Sequence, residues 1–220
     1  MRLLSNRPFP TNWQALKACR TSYSQFGEDL LARQLVGWDR RDGFYVDVGC
    51  YHPIRYSNTY LFYQRGWRGI CIDANPAMST AWKRYRPRDV FVNAAVSAQD
   101  VSMNYYMDPV EPYKNFLSED AGLPVPSGGS LTRIPSESLS SLLTKNSAAP
   151  ITAIDLMTVD CEGFDLQVLQ THDFELVRPK VLIVEDFDLS SDSAIQQFCI
   201  SKGYVLRAYC MKSRIFVCEP

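Results

Sequence analysis

The stretch Gly43-Phe-Tyr-Val-Asp-Val-Gly-Cys50, continuing through Tyr51-His-Pro-Ile-Arg-Tyr-Ser-Asn-Thr59, decides the fold. Phe44 to Val48 is a short β-rich run carrying a carboxylate at Asp47. It breaks at Gly49 and passes Pro53 into a segment able to form a helix. Open α/β sheets build their ligand crevices this way, from an apolar strand, a glycine turn and a helix. Gly49 can take positive φ and lets the backbone approach a ligand closely.

The turn is not a dinucleotide fingerprint. A full G-x-G-x-x-G places further glycines at the pyrophosphate and at the helix–strand contact; here Cys50 follows Gly49, and position 54 is Ile54. A glycine-poor turn beside an acidic strand end suits a nucleoside ligand without a pyrophosphate, of which S-adenosylmethionine is the common example. Taken alone the D-x-G turn is also compatible with a purely structural role.

A second unit repeats the pattern. Gly66-Trp-Arg-Gly69 turns the chain into the apolar run Ile70-Cys-Ile72, which ends in Asp73; Pro76 then suits the first position of a helix over Ala77 to Arg84. Asp73 lies 24 residues beyond Gly49, about the spacing at which α/β nucleoside sites place an acid on ribose hydroxyls. A carboxylate accepts two hydrogen bonds from a vicinal diol, which explains the residue type. Asn93, at the end of the third strand Val90-Phe-Val-Asn93, can meet an adenine edge or serve a turn.

With 220 residues, the chain fits one domain. Hydrophobic residues at 46% and aromatics at 12% supply a core and exclude global disorder. The net charge of −1, with Lys and Arg scattered, gives no nucleic-acid footprint. No run reaches the roughly 18 apolar residues of a membrane span, and the first residues lack a signal-peptide core. Seven cysteines without C-x-x-C spacing read as free thiols in a reducing cytoplasm, not as a disulfide framework or zinc site.

Around these units the chain alternates strands with helices. Residues 1–22 form an arm or first helix, and residues 23–220 one domain. Ser24 can cap a helix whose first turns hold Glu28 and Asp29 and which Gly37 ends. A helix from Ser57 to Arg65 follows the first strand. Val101 to Met107 suggests a further strand. Residues 108–130, rich in Pro and Gly, read as a lid over the acceptor site or as a flexible loop. Leu131 to Ile134 is a strand and Pro135-Ser136 starts a helix. The strands Ile154 to Val159 and Val181 to Val184 end in acids, and a hairpin, Tyr204 to Cys210 with Arg214 to Cys218, closes the chain. The expected fold is α/β: a Rossmann-like, seven-stranded, mainly parallel sheet with a C-terminal antiparallel hairpin and helices on both faces.

Four strands therefore end in carboxylates, Asp47, Asp73, Asp160 and Glu185, with Glu162 and Asp186 close by. In an open sheet these ends face one crevice, and unpaired acids crowded there must meet a ligand, a cation or donors. A salt-bridge cluster with Arg55, Arg65 or Arg68 is the structural alternative. Asp160, Glu162 and Glu185 stand where an acceptor enters. His52 has the ordinary pKa of a base near neutrality, although a His before Pro often only makes a backbone hydrogen bond. Asp160 with Glu185 can instead hold a divalent cation such as Mg²⁺.

The chain resembles the FkbM family of S-adenosylmethionine-dependent methyltransferases. The resemblance rests on Tyr23-Ser-Gln-Phe-Gly-Glu-Asp29, Phe44-Tyr-Val-Asp-Val-Gly49, His52-Pro53, Ser57-Asn-Thr-Tyr60, Arg65-Gly-Trp-Arg-Gly69, Asn75-Pro76, Val159-Asp-Cys-Glu-Gly163 and Arg178-Pro-Lys-Val181. It implies that Asp47 and Gly49 line the methionine side of the cofactor, with Ser57 and Asn58 nearby and Asp160 alongside. It further implies that Asp73 takes the ribose, that Asn93 lies by the adenine and that Gln25 closes the pocket. Two positions depart from the family pattern: Asp73-Ala-Asn-Pro76 where relatives often have Glu-Pro-Asn-Pro, and Phe164 where Ala often follows the glycine.

The resemblance implies methylation of a hydroxyl on a sugar, glycan or glycosylated natural product, with His52, Asp160, Glu162 and Glu185 as the catalytic candidates. Two other readings compete: a non-catalytic cofactor-binding partner of a glycosyltransferase, and a nicotinamide-dependent oxidoreductase. The missing glycines count against the latter.

Overall fold

The computed structural model describes residues 18–98, 101–108, 115–118, 120, 122–125 and 127–219. Most of the N-terminal arm expected over 1–22 lies outside them, as does part of the 108–130 segment.

Five parallel strands form the centre of a seven-stranded sheet: β1 (Phe44–Val48), β2 (Arg68–Asp73), β3 (Val90–Asn93), β8 (Leu156–Val159) and β9 (Val181–Glu185). The order is β10-β11-β9-β8-β1-β2-β3, where β10 (Tyr204–Cys210) and β11 (Ser213–Cys218) are the terminal hairpin and β11 runs antiparallel to β9. Chain order reverses between β1 and β8, so a crevice opens at their carboxyl ends.

Alternation along the strands buries both faces of this sheet. Val46, Val48, Ile70, Ile72, Met157, Val159, Leu182 and Val184 pack on one side with α4 (Leu139–Asn146), α5 (Asp165–Gln170) and α6 (Ala194–Ser201). Tyr45, Cys71, Leu156, Val181 and Ile183 pack on the other with α1 (Glu28–Val36), α2 (Tyr60–Tyr63) and α3 (Ser79–Tyr85). Side chains of successive strand residues point to opposite faces, and a sheet covered on both sides needs apolar residues in both registers.

A second sheet, of order β4-β7-β5-β6, was not anticipated. It comprises β4 (Ala95–Val96), β5 (Val101–Met107), β6 (Phe116–Ser118) and β7 (Ser130–Glu137). Its core is Ala95, Met103, Tyr105 and Ile134, and Tyr106 stacks on Phe116 at 4.6 Å between centroids. Two local expectations are corrected here. Pro135 lies inside β7, opposite Ser102, and does not start a helix. It stands beside the short stretch that β4 pairs, Ser136 and Glu137, an edge setting of the kind strand prolines tolerate. The helix starts instead at Leu139, capped by Ser138, whose Oγ accepts from Ser141 N at 3.2 Å. The helix expected over Ser57 to Arg65 contracts to the single turn Tyr60–Tyr63, because Ser57 Oγ takes the Thr59 and Tyr60 N–H groups in a local turn.

Candidate active site

At the carboxyl ends of β1, β2, β8 and β9 lies a cleft of about 700 Å³, within the range of small-molecule sites. Its floor is Gly49, Asp73, Asp160 and Glu185. Tyr105, Phe116 and Leu117 of the second sheet wall it on one side, and Gln25, Tyr56, Glu162, Phe164, Phe187 and Lys212 also line it.

The Gly49 turn sets the floor. Its φ is +75°, its N–H donates to Ile72 O at 2.9 Å, and a Cβ there would stand 1.7 Å from the Asp160 carbonyl oxygen. Glycine is required both for the dihedral and for the approach of the β1 and β8 ends.

Asp73 is held at the neighbouring strand end. Its Oδ2 accepts from Tyr51 N at 2.6 Å and its Oδ1 from Asn75 N at 2.7 Å. Burial pushes its carboxyl up to about 6, against the pull of those two backbone donors. Each oxygen keeps a second acceptor site, so a ribose diol can still be met. Asn93 Nδ2 donates to Asp73 O at 2.9 Å and does not line the cleft. It ties β3 to the end of β2.

Four other expected residues also stand outside the cleft lining. Asp47 is buried on the opposite face of β1 from Val46 and Val48, where Thr59 Oγ1 donates to it; burial raises its carboxyl to about 6, and Arg86 opposes that rise. Ser57 serves the turn already described and also accepts from Arg86 Nη1. Asn58 Nδ2 donates to Thr158 Oγ1 at 2.9 Å. His52 Nδ1 accepts the Ile54 and Arg55 N–H groups, each at 3.1 Å, so the ring nitrogen expected to act as a base is occupied by a turn. Burial, and then Arg55, lower the His52 pKa further. Asp47 shares its sheet face with Asp73, Asp160 and Glu185 but stands two residues deeper, beside Cys71 and Thr158, and so lies below the crevice.

The acceptor-side acids do converge. Asp160, Glu162 and Glu185 line the cleft together. Burial pushes the Asp160 carboxyl well above the carboxylate range, reinforced by Glu185 and Glu162. Glu185 is raised to about 7, by burial first and Glu162 second. Two adjacent buried carboxyls titrate as a pair, with one proton retained near neutrality. Glu185 Oε2 is buried without a hydrogen-bond partner among the described residues, and Lys212 Nζ stands 3.6 Å from Oε1. Asp165, which the sequence reading passed over, holds the turn beneath them: its carboxylate accepts from Cys161 N at 2.7 Å and from Gly163 N at 3.0 Å.

Gln25 lines the cleft from just ahead of α1. Asp29 fixes that approach by accepting from Ser22 Oγ, Tyr23 N and Ser24 Oγ at 2.6–3.0 Å. The capping residues thus present Gln25 without touching the cleft themselves. Tyr105, Phe116, Leu117, Phe187 and Lys212 were missed, because their place depends on the second sheet and the hairpin turn; Tyr51 was missed although it sits in the Gly49 turn itself, where its φ is +42°. Among the described residues, no group of three or more His, Cys, Asp or Glu side chains is arranged to hold a metal ion. Nor is any helix there long and apolar enough to cross a membrane.

The family model "Methyltransferase FkbM domain" matches residues 47–206. No curated protein matches. Among solved structures, a TehB-like SAM-dependent methyltransferase from Corynebacterium glutamicum is 12% identical, with 94% of each chain covered and a TM-score of 0.46. A precorrin-6y C5,15-methyltransferase from Geobacter metallireducens is 11% identical, covering 86% of this chain and 84% of its own, at 0.45. An O-methyltransferase from Bacillus cereus, in complex with SAH, is 10% identical, covering 94% of this chain and 86% of its own, also at 0.45. Likenesses this distant say nothing about acceptor or site. The matched residues take in the carboxyl ends of β1, β2, β8 and β9 and every cleft-lining residue except Gln25 and Lys212. By that match the chain belongs to the FkbM family of methyltransferases.

Proposed function

We propose that the cleft binds S-adenosylmethionine and that the protein methylates a hydroxyl oxygen of a saccharide or glycan-like small molecule. The observation that carries this reading is Glu185, which lines the cleft beside Asp160 and whose buried Oε2 has no hydrogen-bond partner among the described residues. A buried acceptor atom left without a donor is costly unless a ligand supplies one.

The bound cofactor supplies an electrophilic methyl carbon on a sulfonium. The protein's work is then positioning and proton removal. Asp73 receives the ribose diol, Gly49 lets the backbone pass under the methionine portion, and Gln25 closes the pocket. Glu185 takes the hydroxyl proton as the oxygen–carbon bond forms and the carbon–sulfur bond breaks. Asp160, its carboxyl pushed up by burial, keeps its own proton, so the pair carries one charge before the transfer and none after it. Neither an occupied imidazole nor a metal is invoked. The free cysteines, Cys50, Cys71 and Cys199 among them buried, suit a reducing compartment such as the cytoplasm.

Calorimetric titration with S-adenosylhomocysteine and with NAD tests the cofactor. Saturable binding of the first alone is expected, and binding of NAD alone overturns the reading.

A further inference from the structure

Four large aromatic side chains line the cleft and still stand partly in water: Tyr56 is 64% exposed, Phe187 55%, Phe164 40% and Phe116 37%, the last already stacked on Tyr106. A single exposed ring needs no explanation, but the other three around one cleft form an apolar surface that a ligand can cover. The backbone beneath two of them is unusual. Tyr56 itself has φ +58°, and Phe164 follows Glu162 at +51° and Gly163 at +93°. A bulky residue in the left-handed region is strained and persists where the surroundings hold it. Phe187 is held from the hairpin turn: Lys212 Nζ lies 4.9 Å from its ring centroid, and Asp186 N donates to Lys212 O at 2.7 Å.

Polar groups interleave with these rings, since Gln25, Glu162, Glu185 and Lys212 line the same cleft. The complementary ligand is apolar on its face and hydroxylated on its edge. A pyranose ring has that character, with a C–H face and a rim of hydroxyls. A flat phenol would satisfy the rings but leave several polar groups desolvated without partners. An open-chain polyol offers no rigid apolar face.

We propose that Phe164, Phe187 and Tyr56 form the specificity-determining clamp of the acceptor site, on which a pyranose stacks its C–H face while one hydroxyl turns toward Glu185. This rests on the methyl-transfer reading and names the acceptor class for that same site.

The test uses the whole protein loaded with S-adenosylhomocysteine, titrated calorimetrically with methyl α-D-glucopyranoside, methyl α-D-mannopyranoside, methyl α-L-rhamnopyranoside, D-mannitol and phenol. At least one glycoside is expected to bind, with D-mannitol about tenfold weaker or worse. Phe187→Ala and Phe164→Ala should each weaken that glycoside about tenfold, Phe187→Trp should restore it, and affinity for S-adenosylhomocysteine should not change. The clamp is overturned if no glycoside binds the loaded protein, if D-mannitol or phenol binds as well as the best glycoside, or if the alanine variants bind it like wild type. Failure of S-adenosylhomocysteine to bind at all removes the cofactor reading and the clamp with it, an outcome distinct from a clamp that fails on a loaded protein.

Discussion

Gly49 and Asp160 meet backbone to backbone: a Cβ added at Gly49 would lie 1.7 Å from the Asp160 carbonyl oxygen. That approach brings the cofactor turn of β1 against the acid-bearing turn of β8. Gly49→Ala adds a clash with backbone, which cannot swing aside, to the cost of φ +75°. A loss of roughly 2–4 kcal/mol is expected in urea denaturation, together with loss of S-adenosylhomocysteine binding. An alanine variant as stable as wild type would mean that the two turns separate freely.

Glu185→Gln removes the proposed base while keeping shape. Turnover should fall by about 10²–10⁴-fold, with S-adenosylhomocysteine affinity within a few fold of wild type. In the wild type, the carboxyl pushed up to about 7 must ionise before it can accept a proton, so the rate should climb as pH rises through 7. A rate that is flat from pH 6 to 8 would leave Glu185 out of the chemistry.

Asp47, Asp73 and Asp165 are each raised by burial to about 6 from 3.8. The folded state therefore binds protons more tightly than the unfolded one. The resulting stability is complete below about pH 3.8 and is lost as pH rises through 6. Asp155, held down by Lys180, Phe44 N and Arg40 against its burial, contributes the other way but is complete by pH 5; His52 and His172, lowered by burial, oppose the loss near pH 6.5 and are outnumbered by the raised carboxyls, Asp160 and Glu185 included. The urea midpoint of the ligand-free protein should accordingly drop between pH 5 and pH 7.5. Cofactor binding should show the opposite slope, strengthening with pH as Asp73 ionises to receive the diol; calorimetry across this range checks both signs.

Arg86 is 1% exposed, and its guanidinium donates to Asp89 at 2.6 Å, Tyr45 Oη at 2.8 Å and Thr59 Oγ1 at 2.9 Å. Thr59 in turn donates to Asp47. Arg86→Met strands Asp89 and deprives Asp47 of its compensating charge, a cost of about 3–5 kcal/mol measurable by denaturation. Arg86→Lys should not rescue it, since a compact ammonium cannot serve so many directions at once.

His52→Ala should cost about 1 kcal/mol, from the two N–H groups its ring accepts, and leave kcat within about threefold. A collapse of turnover with an unshifted urea midpoint would return His52 to the chemistry.

The amino-acid sequence by itself determined the parallel sheet and the acidic strand ends. Strand periodicity and glycine punctuation are local, and the runs around Asp47, Asp73, Asp160 and Glu185 carry both. It also contained the two-sided burial, because apolar residues fill both registers of β1, β2, β8 and β9. Tertiary structure alone decided which acids face the cleft. Asp47 and Asp160 read alike as strand-end carboxylates, yet Asp47 turns to the buried Arg86 side while Asp160 opens onto Glu185. All four acids share one parity, so depth decides: Asp47 lies inside β1 beside Cys71 and Thr158, two residues short of the level that Asp73, Asp160 and Glu185 occupy at the strand ends. The second sheet was equally hidden: its wall residues Tyr105 and Leu117 pair across strands through non-local hydrogen bonds. Pairings of that kind leave no mark in the pattern of either segment alone.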